Sequence, residues 1–103
     1  MPPISANYSY VRPQAPKVDW RNEVIYFPLT DRFSNGDKTN DVGVDKLDPG
    51  AFHGGDLRGL INKLDYIKDL GCSTIWLAPF QQNTADAQIG SYHGHGYHGY
   101  WIN

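Results

Sequence analysis

The residues best suited to chemistry lie at the end of the chain, where histidines, aromatic rings and glycines alternate. This aromatic–histidine run, residues 91–101, holds three of the four histidines: His93, His95 and His98. Rings stack on apolar ligand faces, and imidazoles exchange hydrogen bonds near neutral pH, so a sugar is the favoured ligand. A loop without a ligand is one alternative. Zinc is another, although the histidine spacing matches no standard structural zinc site.

A second group of candidate ligands forms an oxygen-rich loop. The segment contains Asn35, Asp37, Asn40 and Asp41, and Gly54-Gly55-Asp56 follows it. Calcium takes about six to eight oxygens from carboxylates, amides and backbone carbonyls, so the loop is a candidate calcium site. It is not an EF-hand, because Lys46 occupies the position of the bidentate glutamate. Solvated turns are the alternative, since Asn, Asp and Gly favour those too.

A third candidate is the adjacent acid–base pair Asp31-Arg32, which follows the first apolar run. The pair could clamp a substrate, supply an acid catalyst or hold the loop in place. A poorly hydrated carboxylate usually needs a partner, so a structural pair is the expectation.

Two strands and one helix are expected to position these loops. Residues 23–29 and 73–78 are short apolar runs typical of buried strands. A long polar loop is expected after each, the first long loop over residues 31–52 and the second from Pro79 to the end of the chain. Between them, apolar residues recur with helical spacing from Leu57 to Leu70, with Asp56 as the N-cap and Gly71 beyond the end. A helical crossover predicts parallel strands. The unit leaves one sheet face and both edges bare, so we expect the opening part of a larger α/β fold.

Length and charge exclude several classes of protein. The 103 residues allow one small domain, and the net charge of −2 excludes a basic surface for nucleic acid or an anionic membrane. No apolar run approaches the ~20 residues that span a bilayer. Residues 1–22 are proline-rich, lack the pattern of a signal peptide and are expected to form a flexible tail or linker. The cellular compartment stays open.

Four blocks, in this order and spacing, resemble the start of the α-amylase superfamily, glycoside hydrolase family 13. They include Thr30-Asp31-Arg32-Phe33, Gly54-Gly55-Asp56-Leu57-Arg58-Gly59, Ile75-Trp76-Leu77 and Tyr97-His98-Gly99-Tyr100-Trp101. Together they are similar to α-amylases and cyclodextrin glucanotransferases. The resemblance implies that residues 23–103 hold the first two strands and first helix of a (β/α)8 TIM barrel, incomplete as a lone chain. Active sites of such barrels lie at the C-terminal ends of the strands, which both long loops follow.

The resemblance also implies roles for individual residues. Tyr100 would stack on the sugar at the cleavage subsite, His98 would hydrogen-bond its hydroxymethyl group, and Trp101 would support them from behind. The implied calcium ligands are Asn35, Asp37, Asn40, Asp41, Gly54 through its carbonyl, and Asp56. Asn35 stands where relatives often have aspartate, and the lost charge would weaken the site. His93 and His95 receive no role.

The implied enzyme cleaves α-1,4-glucans or malto-oligosaccharides by a retaining mechanism, using a pair of carboxylates. Those carboxylates belong to later strands, so no catalytic residue is assigned here and the lone chain is expected to be inactive. Hydrolysis and transglycosylation are equally open, as is the oligomeric state. A small carbohydrate-binding module without catalysis is the alternative function.

Overall fold

Two short strands pair in parallel in a computed structural model that describes residues 17–84 and 86–103. Strand β1, Ile25–Tyr26, lies beside β2, Thr74–Ile75, with Ile25 opposite Thr74 and Tyr26 opposite Ile75. The parallel pair predicted from the apolar runs is therefore confirmed. Both strands are shorter than those runs. β1 ends just before Phe27-Pro28, and Pro28 has no N–H to donate to a further ladder bond.

In the described residues, three α-helices and one 3-10 turn, Lys38–Asn40, follow β1 where the sequence predicts a single helix. Helix α1, Thr30–Phe33, is a single turn directly after the strand. The expected continuous helix is divided into α2, Leu57–Asn62, and α3, Leu64–Asp69. The prediction is wrong at Lys63, whose φ and ψ of −110° and 13° leave the helical region. Its N–H bonds to the carbonyl of Leu60, three residues back, so the chain tightens and changes direction there.

Both predicted ends of this helical segment are confirmed. The Asp56 carboxylate accepts a hydrogen bond of 2.6 Å from the N–H of Gly59, as an N-cap does. Gly71 has a φ of +88°, and its N–H bonds to the carbonyl of Lys68 at 2.9 Å. A glycine reaches that conformation without the steric cost that a side chain would add, so the helix stops there.

The buried core is small. Its apolar members are Ala51, Leu60, Ile67 and Ala78. Leu60 is 5% exposed and Ile67 3%, so one residue from each of α2 and α3 reaches the core. Strand residues that the sequence predicts to be buried are open instead, with Ile25 49% exposed. The β1–β2 pair therefore has an uncovered face, as expected from the small number of helices and strands.

The last quarter of the chain contains an antiparallel hairpin. Strand β3, Ala87–Ile89, pairs with β4, Tyr92–Gly94, across a turn at Gly90, which has a φ of +64°. The expectation of an uninterrupted loop from Pro79 to the end is wrong. The available signal was Gly90-Ser91, two turn-forming residues between short segments of mixed polarity.

The predicted tail, residues 1–22, lies mostly outside the described residues. Its last part, beginning at Lys17, contains a single 3-10 turn, Trp20–Asn22, capped by the Asp19 carboxylate. In the described ranges, no helix has the length and apolar character to cross a membrane.

Candidate functional site

The end of the chain passes directly over the segment that follows β2. Gly99 has a φ of +87°, and a Cβ there would lie 2.3 Å from the carbonyl oxygen of Pro79. The N–H of Thr84 bonds to the carbonyl of Trp101 at 2.9 Å. Only glycine permits such a close approach, so the sequence brings its aromatic residues to the carboxyl end of the sheet.

An aromatic wall, formed by His98, Tyr100 and Trp101, stands at this place. The rings of His98 and Tyr100 are stacked, with centroids 5.9 Å apart and an angle of 29°. The Trp101 ring meets His98 edge-on at 4.6 Å and 90°. Tyr100 is 60% exposed, so one of its faces is open to a ligand. The structure therefore brings together the three residues predicted to bind a sugar.

A backbone hydrogen bond fixes the proton on His98. Its Nδ1 accepts from the N–H of Tyr100 at 3.0 Å. An imidazole that accepts at Nδ1 carries its proton at Nε2 when neutral, so Nε2 is a donor. A cleft of about 340 Å³ is lined by His98 and Trp101 of the wall together with Gly50 and Tyr97, while Tyr100 lies outside it. The wall thus offers a hydrogen-bond donor at a cleft and an exposed ring face on the adjoining residue Tyr100.

The other two histidines of the run are not part of the wall, although His95 lines the same cleft as His98 and Trp101. His93 is 3.4 Å from the Asp86 carboxylate, at the exposed hairpin. The His95 ring packs edge-on against Phe52, with ring centroids 4.8 Å apart, and the backbone N–H of His95 bonds to the carbonyl of Gly50 at 2.9 Å. Among the residues described, no three histidine, cysteine or acidic side chains are grouped to hold a metal ion. The zinc alternative therefore has no support, and His95 joins the hairpin to the first long loop.

Asp31 and Arg32 form the expected structural pair. Arg32 Nε lies 3.0 Å from an Asp31 oxygen, and the side chains are 22% and 10% exposed. Both oxygens of Asp31 accept from the N–H of His53, at 3.0 and 2.9 Å. The Arg32 guanidinium donates to the carbonyls of Pro49, at 2.6 Å, and Ala51, at 3.0 Å. These bonds hold the long loop against α1 and account for the pair without an acid catalyst.

Three of the six predicted calcium ligands meet in one place. The Asn35 amide nitrogen lies 2.9 Å from both carboxylate oxygens of Asp41. The Asn35 amide oxygen is buried and has no hydrogen-bond donor. A Cβ on Gly54 would lie 2.6 Å from the Asn35 nitrogen and 3.0 Å from an Asp41 oxygen. This oxygen cluster, Asn35, Asp41 and Gly54, is therefore a tight cradle that a larger residue would fill.

The other three predicted ligands are engaged with one another and with the backbone. Asp56 accepts from four groups, which are the N–H groups of Gly36, Asp37 and Gly59 and the side-chain amide of Asn40. Burial alone would raise the pKa of Asp56, but these hydrogen bonds outweigh it and the pKa is lowered. The carboxylate of Asp37 accepts from the N–H and hydroxyl of Thr39. These three residues close the loop on itself. Among the described residues, the acidic members Asp37, Asp41 and Asp56 are not grouped around one metal position.

Comparison with known proteins gives a consistent result. Residues 27–103 match the family model of the α-amylase catalytic domain. The periplasmic α-amylase of Escherichia coli is 46% identical over 92 residues, covering 81% of this chain and 14% of that protein. The cyclomaltodextrin glucanotransferase of Klebsiella oxytoca is 45% identical and covers 86% of this chain and 14% of that protein. This chain therefore spans about one seventh of these relatives.

A solved structure agrees in fold as well as in sequence. The crystal structure of an Anoxybacillus α-amylase superposes with a TM-score of 0.71 at 50% identity. The superposition covers 84% of this chain and 17% of the Anoxybacillus α-amylase chain. The helical crossover, β2 and the aromatic wall lie within the span of the family model, and β1, Ile25–Tyr26, lies just before it. The chain belongs to the α-amylase catalytic domain family of glycoside hydrolases.

Proposed function

We propose that these residues form the first part of a (β/α)8 catalytic domain that acts on α-1,4-glucans with retention of configuration. The observation that carries the proposal is the aromatic wall, in which an exposed tyrosine face stacks beside an imidazole donor at the end of β2. Active sites of such barrels lie at this end of the strands. The catalytic carboxylates would come from strands beyond this chain. Relatives named as an amylase and as a glucanotransferase leave hydrolysis and transfer both open.

Each member of the wall has a distinct role in the proposal. Tyr100 presents its open face to the apolar face of a glucose ring. His98 donates from Nε2 to a sugar hydroxyl, the hydroxymethyl group being the expected acceptor. Trp101 presses edge-on against His98 and keeps the imidazole from turning. The substrate is thus a malto-oligosaccharide or longer glucan. A location outside the cytoplasm accords with the periplasmic relative.

Calcium is the proposed resident ion. In support, the buried Asn35 amide oxygen lacks a donor. The Asp41 carboxylate, which accepts from the Asn35 amide nitrogen, lies beside the space left by Gly54. These are hard oxygen donors of the kind calcium prefers. The Gly54 carbonyl, Asp37, Asn40 and Asp56 are the further proposed ligands. Calcium would supply charge compensation that holds the loop closed beside the substrate wall.

An assay on soluble starch tests the catalytic proposal. The complete polypeptide that carries these residues is expected to release α-anomeric products, detected by NMR before mutarotation. Tyr100→Ala should lower kcat/KM by about tenfold or more, because the stacking face is lost. Arg21→Lys, at an exposed surface pair, is the matched control and should not change it. Binding of glucan without turnover would instead support a carbohydrate-binding module. The absence of both binding and turnover would contradict the enzyme and the binding module alike.

A calorimetric titration with calcium tests the ion site. Asp41→Ala should weaken binding by at least about tenfold, since a carboxylate ligand is removed. Asn35→Asp should strengthen it, because it restores a negative charge to the oxygen cluster. Asp65→Asn, on the exposed side of α3, is the control. Equal affinity in all four proteins would rule out the proposed ligands.

A further inference from the structure

Arg32 connects the first long loop to the terminal run of the chain. Its guanidinium carbon lies 4.1 Å from the centre of the Tyr97 ring, over the ring face. The Tyr97 ring in turn meets His98 at 5.3 Å and 68°. A cation over an aromatic face is attracted by the ring quadrupole, and the attraction grows as water is excluded. Arg32 is mostly buried, so this contact lies in a poorly hydrated place.

The guanidinium is itself held from several sides. Asp31 lies at one edge, the carbonyls of Pro49 and Ala51 at another, and the His53 ring within 2.8 Å of a terminal nitrogen. Both terminal nitrogens are hydrogen-bonded, whereas Nε has the Asp31 carboxylate at 3.0 Å but no hydrogen-bond partner. One face of the planar group is covered by Tyr97. The position of the Tyr97 ring therefore depends on the planar shape of the Arg32 guanidinium as well as on its charge. Lysine cannot reproduce this arrangement, because its ammonium is a point charge on a flexible stem.

We propose that Arg32 is a positioning residue for glucan binding, acting through Tyr97 on the ring of His98. This proposal rests on the proposed function of the aromatic wall. Without the guanidinium, the Tyr97 ring loses the group that covers one of its faces. The imidazole of His98 then loses a neighbour of fixed position. The hydrogen bond from Tyr100 to His98 then has to hold the ring with less support.

A double-mutant cycle on the complete polypeptide tests the coupling, with maltoheptaose as the probe. Arg32→Lys and Tyr97→Leu are each expected to weaken the affinity about five- to tenfold. The double variant should be no weaker than either alone, because both remove one contact. Arg21→Lys, at an exposed arginine, serves as the control. Additive losses would overturn the proposal and leave Arg32 as a loop anchor only.

A measurement without ligand separates this proposal from the proposed function. Protons of the Arg32 guanidinium over an aromatic ring resonate at unusually high field. That NMR shift should disappear in Tyr97→Leu and remain in Tyr97→Phe, which keeps the ring face. Its absence in the unsubstituted protein overturns the Arg32–Tyr97 contact. If the shift is present but maltoheptaose does not bind, the contact stands while the proposed function, and with it the role in binding, is overturned.

Discussion

At the scale of the residue, the Asp56 carboxylate joins the start of α2 to the oxygen-rich loop. It caps the helix through the N–H of Gly59 and anchors the loop through the N–H groups of Gly36 and Asp37. The helix cap was predictable from the spacing of Asp56 and the first apolar residues. The loop contacts were not, because they join positions about 20 residues apart through backbone groups common to every sequence.

Asp56→Ala is expected to lower the free energy of unfolding by about 1–2 kcal/mol, the usual cost of losing a helix cap with partners left unbonded. The measurement is urea unfolding of the complete polypeptide with a chelator present, so that no calcium contribution enters. Asp65→Ala, at an exposed site on α3, should change the stability by less than about 0.5 kcal/mol. Equal effects of the two substitutions would contradict the capping role.

Glu23 is expected to make the stability of the β1–β2 junction depend on pH. Its carboxylate accepts from the hydroxyls of Ser73 and Thr74, which lowers the pKa of Glu23 from its ordinary value of 4.5. A carboxyl group with a lowered pKa in the folded state stabilises above its unfolded pKa, and this contribution is lost as pH falls through the folded pKa.

Glu23→Gln should therefore lower the melting temperature at pH 7 and have a diminishing effect below pH 4.5. Calorimetric scans of both proteins between pH 7 and pH 3 give the comparison. An effect of the same size at every pH would show that the charge of Glu23 contributes nothing to the β1–β2 junction.

At the scale of the element, Gly59 has a different role from the one its position suggests. A glycine inside a helix ordinarily costs about 1 kcal/mol relative to alanine. Here a Cβ would lie 1.8 Å from the carbonyl oxygen of Ser34, so α2 packs against the chain that follows α1 only because Gly59 has no side chain. The close approach is what puts the Asp56 carboxylate within reach of the oxygen-rich loop.

Gly59→Ala is accordingly expected to destabilise the protein by about 2 kcal/mol or more, through overpacking at a backbone contact. Asn62→Ala, on the exposed side of the same helix, should be neutral or slightly stabilising. Chemical denaturation of the two variants distinguishes the cases. A more stable Gly59→Ala variant would mean that α2 does not pack on Ser34.

The sequence predicts the elements better than their lengths and breaks. The parallel strands and both helix ends follow from local patterns: apolar runs, Asp56 and Gly71. The break at Lys63 has no signal in the local pattern of apolar residues. The β3–β4 hairpin has one in Gly90-Ser91, and the residue after it, His95, packs at a distance against Phe52. The members of the aromatic wall were predictable from a resemblance to a family. Their mutual geometry was not, because it depends on the contact of Gly99 with Pro79.

At the scale of the whole molecule, large apolar side chains remain uncovered around the sheet. Phe27 and Trp76 contact each other at 5.3 Å yet are 55% and 61% exposed. Exposed aromatic surface of this kind marks an interface with further structure. In the proposed parent domain, later strands and helices cover it, and the wall then faces carboxylates that this chain does not supply.

The 103 residues alone are expected to bind a hydrophobic dye and to unfold without a sharp transition, because four buried apolar residues make a small core. Dye fluorescence and a thermal scan of the lone chain are the measurements. A cooperative transition with no dye binding would favour an independent carbohydrate-binding module.

The most direct test of sugar binding at the aromatic wall is a titration of the complete polypeptide with maltoheptaose, followed through the aromatic signals in NMR spectra. The rings of His98, Tyr100 and Trp101 are expected to shift together with one saturation curve, while the exposed ring of Tyr66 on α3 does not shift. Unchanged signals at the aromatic wall on full addition of the glucan, or shifts confined to Tyr66, would contradict it.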